Sequence, residues 1–424
     1  MIKIYKDGTL STEEIMSRDG EGFDASAIVR DIIANVRKNG DAALREYCEK
    51  FDGGAPASLL VSAEEIDEAF TKVPAELVAA MTEARDNIRA FHEKQVRNGF
   101  IMGEREGVLL GQKVTPIEKV GLYVPGGTAS YPSTVLMDAV PAKIAGCSEI
   151  VITTPAKNGV VSPAILVAAR LAGVDKIYKI GGAGAVAALA YGTETVGKVD
   201  KIVGPGNVFV AEAKRQVFGV VGIDMVAGPS EILIIADGAA NPKYVAADML
   251  SQAEHDKLAS AVLVTDSADL AEKVSAELER QIPLLPRAEI ARVSIDGASK
   301  IIVRESLDDV IDTANEIAPE HLEVCVDSPF DLLPKIKNAG SIFLGRNCPE
   351  ALGDYFAGPN HTLPTSGTAR FSSPLSVDDF TKKSSFIYYT KEALSEVAGK
   401  IDIFAKHEGL HAHAKSATIR FEEE

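Results

Sequence analysis

Strand-like and helical segments alternate along most of this chain, and no other feature constrains its fold as strongly. After a helical segment at 131–145, apolar segments such as EIVITTP, KIYKI and SEILIIAD are separated by helices and short glycine turns. A strand, a helix and a second strand joined in this way form a parallel βαβ unit. The alternation resumes after a helix that carries Gln252 and continues from SAVLVTD to SIFLG. The pattern therefore predicts two parallel α/β halves that follow each other.

The segments outside this alternation are predicted from helical periodicity and from β-rich composition. Apolar residues recur every three or four positions over 24–51 and 63–97, which predicts helices, and the first repeat ends on Gly40. Residues 107–124 change to short β-rich pieces. From about 371, the FIYYT segment and two helices predict an appended module with no obvious sheet of its own to join.

Composition argues against several classes of protein. The length of 424 residues predicts two or three domains, and 46% hydrophobic with 25% charged residues is typical of a globular protein. The net charge of −17 and the lack of a basic stripe argue against nucleic-acid binding. The chain contains no run of about 18 apolar residues, the length needed to span a membrane. Its N-terminus lacks the apolar core of a signal peptide. We therefore expect a cytoplasmic protein.

The cysteines are scattered and do not form the CxxC pairs of a thiolate metal site. This usage suits a reducing compartment and offers no disulfide framework. Cys147 follows a glycine at a turn, and we interpret it as a small core residue. The alternative is a catalytic nucleophile. The others are Cys48, Cys325 and Cys348.

The octapeptide DMLSQAEH, which ends at His255, supplies the first candidate metal ligands. It continues a helix that begins near Asn241 and Pro242, a pair typical of a helix start. Gln252 and His255 lie three residues apart, so both side chains leave the same face of the helix. Together they can hold half of a metal's coordination sphere. Alternatively, a protonated His255 caps the helix C-terminus.

Two further loops combine histidine with a carboxylate. The segment APEHLE places Glu320 and His321 at the entrance of the strand LEVCV, where an acid and an imidazole can divide proton transfer between them. An exposed loop pair without function is the alternative. The segment GDYFAGPNH offers Asp354 and His361 in a loop bounded by glycines.

The C-terminal segment EGLHAH contains two histidines that leave different faces of a helix. At most one of His411 and His413 can therefore join a given site. The candidate ligands form a set of nitrogen and oxygen donors without sulfur, consisting of Gln252, His255, Asp354 and His413. Such a set favours zinc, or another divalent ion such as manganese or cobalt, in a site that stays open to substrate.

The segment GGAGAVA resembles a dinucleotide-binding fingerprint but lacks one part of it. Gly182, Gly184 and Ala187 follow a strand and open a helix with G-x-G-x-x-A spacing. The acidic residue expected about twenty positions further on is missing, because the next strand continues as KIVGPGN. The glycines alone are weak evidence for a nucleotide site.

Five sequence motifs, in a fixed order, carry a resemblance to a known family. The runs GPGNVFVAEAKRQVFGVVGIDMVAGPSEILIIAD, DMLSQAEHD, APEHLEV, GDYFAGPNHTLPTSG and EGLHAHAKSATIR resemble those of the histidinol dehydrogenase family. The resemblance extends over nearly the whole chain. It implies the last enzyme of histidine biosynthesis, a zinc-dependent, NAD-linked four-electron oxidation of L-histidinol through L-histidinal to L-histidine. Two NAD molecules and one zinc ion would serve each site.

The resemblance also assigns the metal and catalytic residues. His321 would accept the alcohol proton as the first hydride leaves and would assist the second hydride transfer. Glu320 would activate the water that hydrates the aldehyde. His361 would support the metal site without binding the ion. The zinc ligands would be Gln252, His255, Asp354 and His413.

Substrate and cofactor contacts are implied in the same way. Ser230 in AGPSE and Glu408 in EGLHAH would hold the substrate, together with the zinc ligands and the catalytic histidine. Tyr123 in GLYVPGG and Asn207 in GPGN fall on the family's NAD positions. Gly184 replaces the glutamine that the family usually has in GGAQA, so one contact with NAD would be lost.

The implied fold is α/β, with two incomplete Rossmann-like parallel-sheet domains, one inserted in the other, and small N- and C-terminal modules. We expect the first domain at 21–122 and 233–370, where it carries the zinc and catalytic motifs. The second, on the NAD side, is expected at 123–232. An N-terminal arm at 1–20 and a C-terminal module at 371–424 would interlock a homodimer with shared active sites.

Two alternatives to this function stay open at the level of sequence. A related zinc and NAD enzyme of the same superfamily could oxidise another small alcohol, such as a sulfonated diol, although the complete EGLHAH and HLE motifs favour histidinol. A catalytically silent metal-binding or scaffold protein could keep the same fold. The presence of both Glu320 and His321 argues against that second alternative.

Overall fold

The structure is a computed structural model that describes four stretches of the chain, residues 1–6, 10–17, 23–126 and 130–422. Part of the predicted N-terminal arm, the end of the GLYVPGG motif and the last two residues lie outside these stretches. Within them, every helix is too short or too polar to cross a lipid bilayer.

The chain forms two compact units, each built from two separate segments. The larger unit comprises Met1–Gln95 and Ile117–Phe380, and the smaller unit comprises Val96–Pro116 and Thr381–Glu424. The smaller unit therefore combines the C-terminal tail with a segment from the first third of the chain.

The strands of the described residues belong to three sheets. In chain order they are β1 (Lys3–Lys6), β2 (Phe100–Met102), β3 (Val108–Pro116), β4 (Lys119–Tyr123), β5 (Glu149–Thr154), β6 (Lys176–Lys179), β7 (Lys201–Val203), β8 (Gly222–Ile223), β9 (Glu231–Ala236), β10 (Ser260–Thr265), β11 (Lys300–Val303), β12 (His321–Cys325), β13 (Ser341–Leu344) and β14 (Thr381–Tyr389).

Helices separate most of these strands. In chain order they are α1 (Thr12–Met16), α2 (Ser26–Phe51), α3 (Ala63–Lys72), α4 (Ala75–His92), α5 (Pro132–Ala145), α6 (Pro163–Ala172), α7 (Gly182–Tyr191), α8 (Val208–Val217), α9 (Pro242–Ala253), α10 (Ala268–Gln281), α11 (Ala288–Gly297), α12 (Leu307–Ile317), α13 (Pro329–Leu332), α14 (Glu350–Tyr355), α15 (Lys391–His407) and α16 (His411–Thr418).

Sheet A of the larger unit is parallel throughout and has the strand order β1-β11-β10-β9-β12-β13. Every residue of β9 and β10 is buried, as expected where helices cover both faces of a parallel sheet. Ile232 and Ile234 pack on one face with residues of α9 and α10. Leu233 and Ile235 pack on the other face with residues of α12.

Sheet B, also in the larger unit, is parallel and has the order β6-β5-β4-β7-β8. Its strands lie between β1 and β9 in the sequence, so the segment that forms sheet B is inserted in the chain of sheet A. The predicted α/β class, with one Rossmann-like parallel-sheet domain inserted in the other, is therefore confirmed.

Helices α2 and α4 cover sheet B rather than sheet A. Val29 of α2 shares a buried cluster with Tyr123 of β4, and Ile88 of α4 shares another with Val120 of the same strand. Our prediction assigned 21–122 to the domain of sheet A, and this packing corrects it for these helices. Periodicity identifies the apolar face of a helix but not the sheet that the face covers. The remaining domain limits stay a prediction.

Proline and glycine alter two of the predicted helices. The helix predicted over 63–97 is divided into α3 and α4, because the residue before Pro74 takes an extended conformation. Helix α2 continues past Gly40, where a φ of 52° and a ψ of −130° interrupt the helical backbone. Residues with a side chain rarely adopt this positive φ, so the break favours glycine.

The smaller unit contains sheet C, which is antiparallel with the order β14-β3-β2, followed along the chain by α15 and α16. The predicted tail strand and its two helices are confirmed. The expectation that the tail has no sheet to join is wrong. Strand β14 pairs with β3 along its whole length, from Thr381 opposite Pro116 to Tyr389 opposite Val108.

Candidate active site

The predicted catalytic side chains lie at the amino-terminal edge of sheet A, where its strand order reverses. From β9, the chain adds β10 and β11 on one side and β12 and β13 on the other. Strand β9 begins at Glu231 and its neighbour β12 at His321. Open parallel sheets usually bind ligands at the carboxyl-terminal edge of such a reversal. This cluster lies at the opposite edge, to which α9 returns with Gln252 near its end.

The backbone of Glu231 orients the predicted catalytic pair. Its carbonyl oxygen lies 3.1 Å from Nδ1 of His321, and its N–H donates to Oε2 of Glu320 at 2.9 Å. Because a carbonyl can only accept, Nδ1 carries a hydrogen and Nε2 is the basic nitrogen of the neutral ring. Both side chains are buried, so the alternative of an exposed loop pair is wrong. Ser230, predicted to hold the substrate, immediately precedes Glu231 and is half-buried.

Three carboxylates surround the His321 ring. Oε1 of Glu350 and Oε2 of Glu320 lie 3.5 and 3.7 Å from Nδ1, and Oδ1 of Asp354 lies 3.5 Å from Nε2. Burial alone would lower the pKa of His321, but these carboxylates raise it well above its usual value. Burial raises the pKa of Glu320 to about 8, so its carboxylate accepts a proton more readily than an exposed one. The imidazole is therefore a strong proton acceptor, since neighbouring charge stabilises its protonated form.

Helix α9 carries the first two predicted metal ligands and begins as predicted, with the Asn241 side chain accepting from the N–H of Lys243. Gln252 is fully buried, and neither atom of its amide has a hydrogen-bond partner among the described residues. An unpaired buried polar group costs about 1–3 kcal/mol, so this position favours a ligand that the amide can bind. His255 is half-buried beyond the helix end, and burial lowers the pKa of its imidazole. The neutral form binds metals and is a poor helix cap.

Asp354, in the short helix α14, is oriented by His361. Nδ1 of His361 donates to the backbone carbonyl of Asp354 at 3.1 Å, and its Nε2 accepts from the Thr134 hydroxyl at 3.3 Å. Both ring nitrogens are engaged, which agrees with a supporting role for His361. Burial alone would raise the pKa of Asp354, but the nearby His321, His361 and His255 hold it below its usual value. The carboxylate is therefore ionised.

Glu350, at the start of α14, is a site residue that the sequence analysis missed. Its side chain is only 2% exposed. Its Oε2 accepts from the Ser251 hydroxyl at 3.0 Å, and its backbone N–H donates to Oε1 of Glu323 at 2.7 Å. Glu350, His321 and Asp354 each present a ligand atom within 4.8 Å of the other two, close enough to share a metal ion. This trio has only Asp354 in common with the predicted ligand set. The available signal was the four-residue spacing of Glu350 and Asp354, which puts them on one helix face.

The residues predicted to contact NAD lie at the carboxyl-terminal edge of sheet B. Tyr123 ends β4 and Asn207 follows β7, and these strands flank the reversal of strand order in sheet B. The Tyr123 hydroxyl accepts from the N–H of Gly182 at 3.1 Å, at the start of α7. The side-chain oxygen of Asn207 accepts from the N–H groups of Phe209 and Val210 and caps α8. Its amide nitrogen still has two hydrogens to donate.

Gly184 lies in α7 and faces α2. A Cβ atom built on it would lie 3.2 Å from Cδ2 of Tyr47 and 3.7 Å from Cδ2 of Leu44. A glutamine here would need the Tyr47 ring to shift by a few tenths of an ångström. The glycine that completes the fingerprint spacing thus also permits close packing of two helices.

Helix α5 connects the edge of sheet B to the loop that contains Asp354. It follows β4, and Thr134 in its first turn lies 3.3 Å from Nε2 of His361. The side-chain amide of Asn360 donates to the carbonyl of Met137 in the same helix at 2.6 Å. A ligand at the carboxyl-terminal edge of sheet B therefore borders the amino-terminal edge of sheet A.

Glu408 and His413 belong to the smaller unit. Glu408 follows the end of α15, and His413 lies in the first turn of α16. Both side chains are exposed, so a carboxylate and an imidazole on this unit are free to contact another molecule.

Comparison with known proteins identifies the family. Residues 17–421 match the family model described as histidinol dehydrogenase. The chain belongs to the histidinol dehydrogenase family. It is 54% identical over 427 residues to the histidinol dehydrogenase of Clostridium acetobutylicum, with 99% of both chains covered. Against that of Bacillus cereus it is 55% identical over 423 residues, covering 100% of this chain and 96% of the relative.

A solved structure shows the same fold. The crystal structure of histidinol dehydrogenase from Elizabethkingia anophelis matches with a TM-score of 0.94 and 40% sequence identity, covering 99% of this chain and 98% of that one. The resemblance identified from the five motifs is therefore confirmed. As a member of the histidinol dehydrogenase family, the chain is an oxidoreductase of histidine biosynthesis. The individual site residues stay predictions.

Proposed function

We propose that this enzyme oxidises L-histidinol through bound L-histidinal to L-histidine and reduces two NAD molecules for each substrate. One observation carries the proposal: His321 is a buried imidazole with a basic Nε2, and surrounding carboxylates stabilise its protonated form. Oxidation of an alcohol by hydride transfer needs such a group, because the hydroxyl proton must be accepted as the hydride leaves.

In the first half-reaction, Nε2 of His321 accepts the hydroxyl proton while the carbon-bound hydrogen leaves with its electron pair to NAD. The product is histidinal. Glu350 and Glu320 beside the ring compensate the charge of the imidazolium that forms. A cation held at Asp354 would neutralise the third carboxylate, which lowers the pKa of His321 toward the range that suits a general base.

In the second half-reaction, Glu320 activates the water that adds to the aldehyde. One oxygen of its carboxylate already accepts from the Glu231 N–H, which leaves the other to accept from water. As the hydrate forms, the His321 imidazolium returns its proton to the aldehyde oxygen. The hydrate then transfers a hydride to a second NAD, and the neutral His321 accepts the hydroxyl proton. One water is consumed, two hydrides leave, and the product is a carboxylate.

Zinc, when bound, supplies a positive charge that orients the amine and imidazole of the substrate. Three observations support a ligand site at Gln252, His255 and Asp354. The buried amide of the glutamine has no hydrogen-bond partner in the described stretches, the imidazole is neutral and the carboxylate is ionised. We prefer these residues to the trio that includes His321, because a metal-bound Nε2 could not accept the substrate proton. The residues that would hold the ion are Gln252, His255, Asp354 and His413.

NAD would bind at the carboxyl-terminal edge of sheet B. Tyr123 and Asn207 support this site because they flank the reversal of strand order, where open α/β sheets usually bind their ligands. The side-chain N–H groups of Asn207, which have no acceptor among the residues that the structure describes, suit ribose or phosphate oxygens. Gly184 would contribute no side-chain contact.

Each active site would be completed across a homodimer, with Ser230 of one subunit and Glu408 and His413 of the other holding the substrate. Large apolar side chains on the smaller unit support association, since exposed apolar surface of this kind is typical of interfaces. The most exposed of them on β14 and α15 are Ile387, Ile403 and Phe404, at 75%, 72% and 71%.

The decisive experiment counts the NADH formed for each histidinol consumed. We expect two, with histidine as the product. One NADH per histidinol, with histidinal accumulating, would contradict the four-electron reaction. A sulfopropanediol is the control substrate, and faster turnover of it than of histidinol would assign the enzyme to the related zinc and NAD alcohol dehydrogenases.

A further inference from the structure

The fingerprint-like start of α7 lacks the acidic residue that normally binds a ribose. Gly182 and Gly184 open α7 after β6, and β7 continues into Gly204 without a carboxylate. Among the described strands, β6 is the edge strand of sheet B on that side, so no strand beyond it carries such a residue. A carboxylate at this edge has to come from elsewhere in the chain.

The segment after α2 reaches this edge. It runs antiparallel along the outer side of β6, where the N–H of Lys179 donates to the Leu59 carbonyl at 2.7 Å and the N–H of Val61 donates to the Ile177 carbonyl at 2.9 Å. Because the segment runs antiparallel to β6, the residues before Leu59 lie toward the carboxyl-terminal end of the strand.

Asp52, the residue that follows α2, is tied to the same edge by two contacts. Its backbone carbonyl accepts from the N–H of Asn158, in the loop after β5, at 2.8 Å. One turn earlier in α2, Sγ of Cys48 lies 3.5 Å from the carbonyl oxygen of Lys179, the last residue of β6. The end of α2 therefore lies at the ends of β5 and β6, next to the start of α7.

The Asp52 carboxylate keeps most of its capacity to accept hydrogen bonds. In the described part of the chain it has no cationic partner, and its side-chain neighbour is the Cys48 thiol, a weak donor. The side chain is half-buried, and burial raises its pKa. Burial also raises the pKa of Tyr123 to about 12, and the negative charge of Asp52 adds to this rise.

We propose that Asp52 binds the ribose hydroxyls in the adenosine half of NAD and selects NAD over NADP, an assignment that rests on the proposed NAD-linked function. Strands β4 and β6 are about 10 Å apart. A dinucleotide with its nicotinamide near Thr134 and His361 would therefore extend its adenosine toward Asp52. There the carboxylate accepts from two adjacent hydroxyls, as the acidic residue of the fingerprint does, and repels a 2′-phosphate.

Equilibrium binding of NADH tests this assignment, because the chain contains no tryptophan to interfere with the fluorescence of NADH. Asp52→Asn should weaken NADH binding about tenfold or more, as expected when hydrogen bonds to a charged group are lost. The preference for NAD over NADP should fall by a similar factor. The KM for histidinol and the kcat at saturating NAD should change less than about twofold.

Two variants control for effects on the structure of α2. Glu46→Gln removes an exposed carboxylate from the same helix, and Cys48→Ala removes the thiol neighbour but leaves Asp52 in place. Both should bind NADH like the wild type. A competition measurement needs no variant: ADP-ribose should displace NADH from the wild type about tenfold better than 2′-phospho-ADP-ribose.

Three results would overturn the role of Asp52: unchanged NADH affinity in Asp52→Asn, an equal loss of affinity in Cys48→Ala, or equal competition by the two ADP-ribose compounds. Each is distinct from failure of the proposed function, in which the wild type does not reduce NAD with histidinol. That failure would overturn both proposals. Turnover of histidinol with NAD by a wild type that fails the competition test would refute the role of Asp52 alone.

Discussion

Replacing Gln252 with leucine should stabilise the metal-free enzyme and abolish zinc binding. The side chain is fully buried, and neither of its two amide atoms has a partner among the described residues. At about 1–3 kcal/mol for each unpaired polar atom, the amide costs about 2–6 kcal/mol. Leucine has a similar size and no polar atom, and imperfect packing offsets about 1.5 kcal/mol of the gain. The free energy of unfolding should therefore rise by about 0.5–4.5 kcal/mol.

Thermal unfolding of chelator-treated proteins measures this gain, which corresponds to a rise in Tm of about 1 °C for each kcal/mol in a chain of this size. Added zinc should raise the Tm of the wild type, since an ion that binds only the native state stabilises it. It should leave the Tm of Gln252→Leu unchanged, and metal analysis after dialysis should find no zinc in this variant.

Gln281→Leu is the matched control, because this glutamine has acceptors for its amide. Its Nε2 donates to the Lys243 carbonyl at 3.1 Å and to Glu277 at 3.2 Å. Its replacement should lower the Tm. If metal-free Gln252→Leu also melts below the metal-free wild type, the buried amide has a partner in solution and the reasoning is wrong. A full zinc content in Gln252→Leu would remove this residue from the ligand set.

Three further predictions concern the catalytic steps, the cofactor contact and the dimer. His321→Ala should slow both hydride transfers. Glu320→Ala should mainly slow the oxidation of supplied histidinal, by ~10²–10⁴-fold in stopped-flow measurements. Equal losses on both halves of the reaction in Glu320→Ala would refute the division of roles. Gly184→Gln should lower the KM for NAD several-fold once the Tyr47 ring shifts to admit the side chain, since a net hydrogen bond contributes about 1 kcal/mol. An unchanged KM would mean that another group already makes this contact, and a higher KM that the packing of α7 on α2 does not admit the glutamine. Asp354→Ala and His413→Ala should each be inactive, and their co-expression should restore about a quarter of wild-type activity, because half of randomly paired dimers are mixed and each has one intact site. No restoration would indicate that each site is built within one subunit.

Most strands and helices of the two parallel sheets could be predicted because their periodicities are local. The alternation from 131 onward corresponds to α5 through β13. The break at Pro74 was missed because helical periodicity continues on both sides of it. The pairing of β14 with β3 could not be predicted, since the residues of a strand specify its buried face but not the distant strand beside it.

The candidate site divides in the same way. Glu320 and His321 are neighbours in the chain, and Gln252 and His255 are one helical turn apart, so each pair forms a recognisable local motif. Glu350 does not form such a recognisable motif, because an acidic residue at the start of a helix is an ordinary stabilising feature. Its relevance comes from its buried side chain and its 3.5 Å distance from the His321 ring.

By itself, the sequence determined the α/β class, the family and the short motifs of the site, because each depends on residue types within a few positions of one another. Only the tertiary structure decided which nitrogen of His321 is basic, that the amide of Gln252 lacks a partner within the described part of the chain, and that Asp52 reaches the edge of sheet B. The physical reason is that these properties depend on burial and on contacts between distant segments. Removal from water multiplies the cost of an unpaired polar group and the strength of a paired one, and only the folded chain sets which groups are removed.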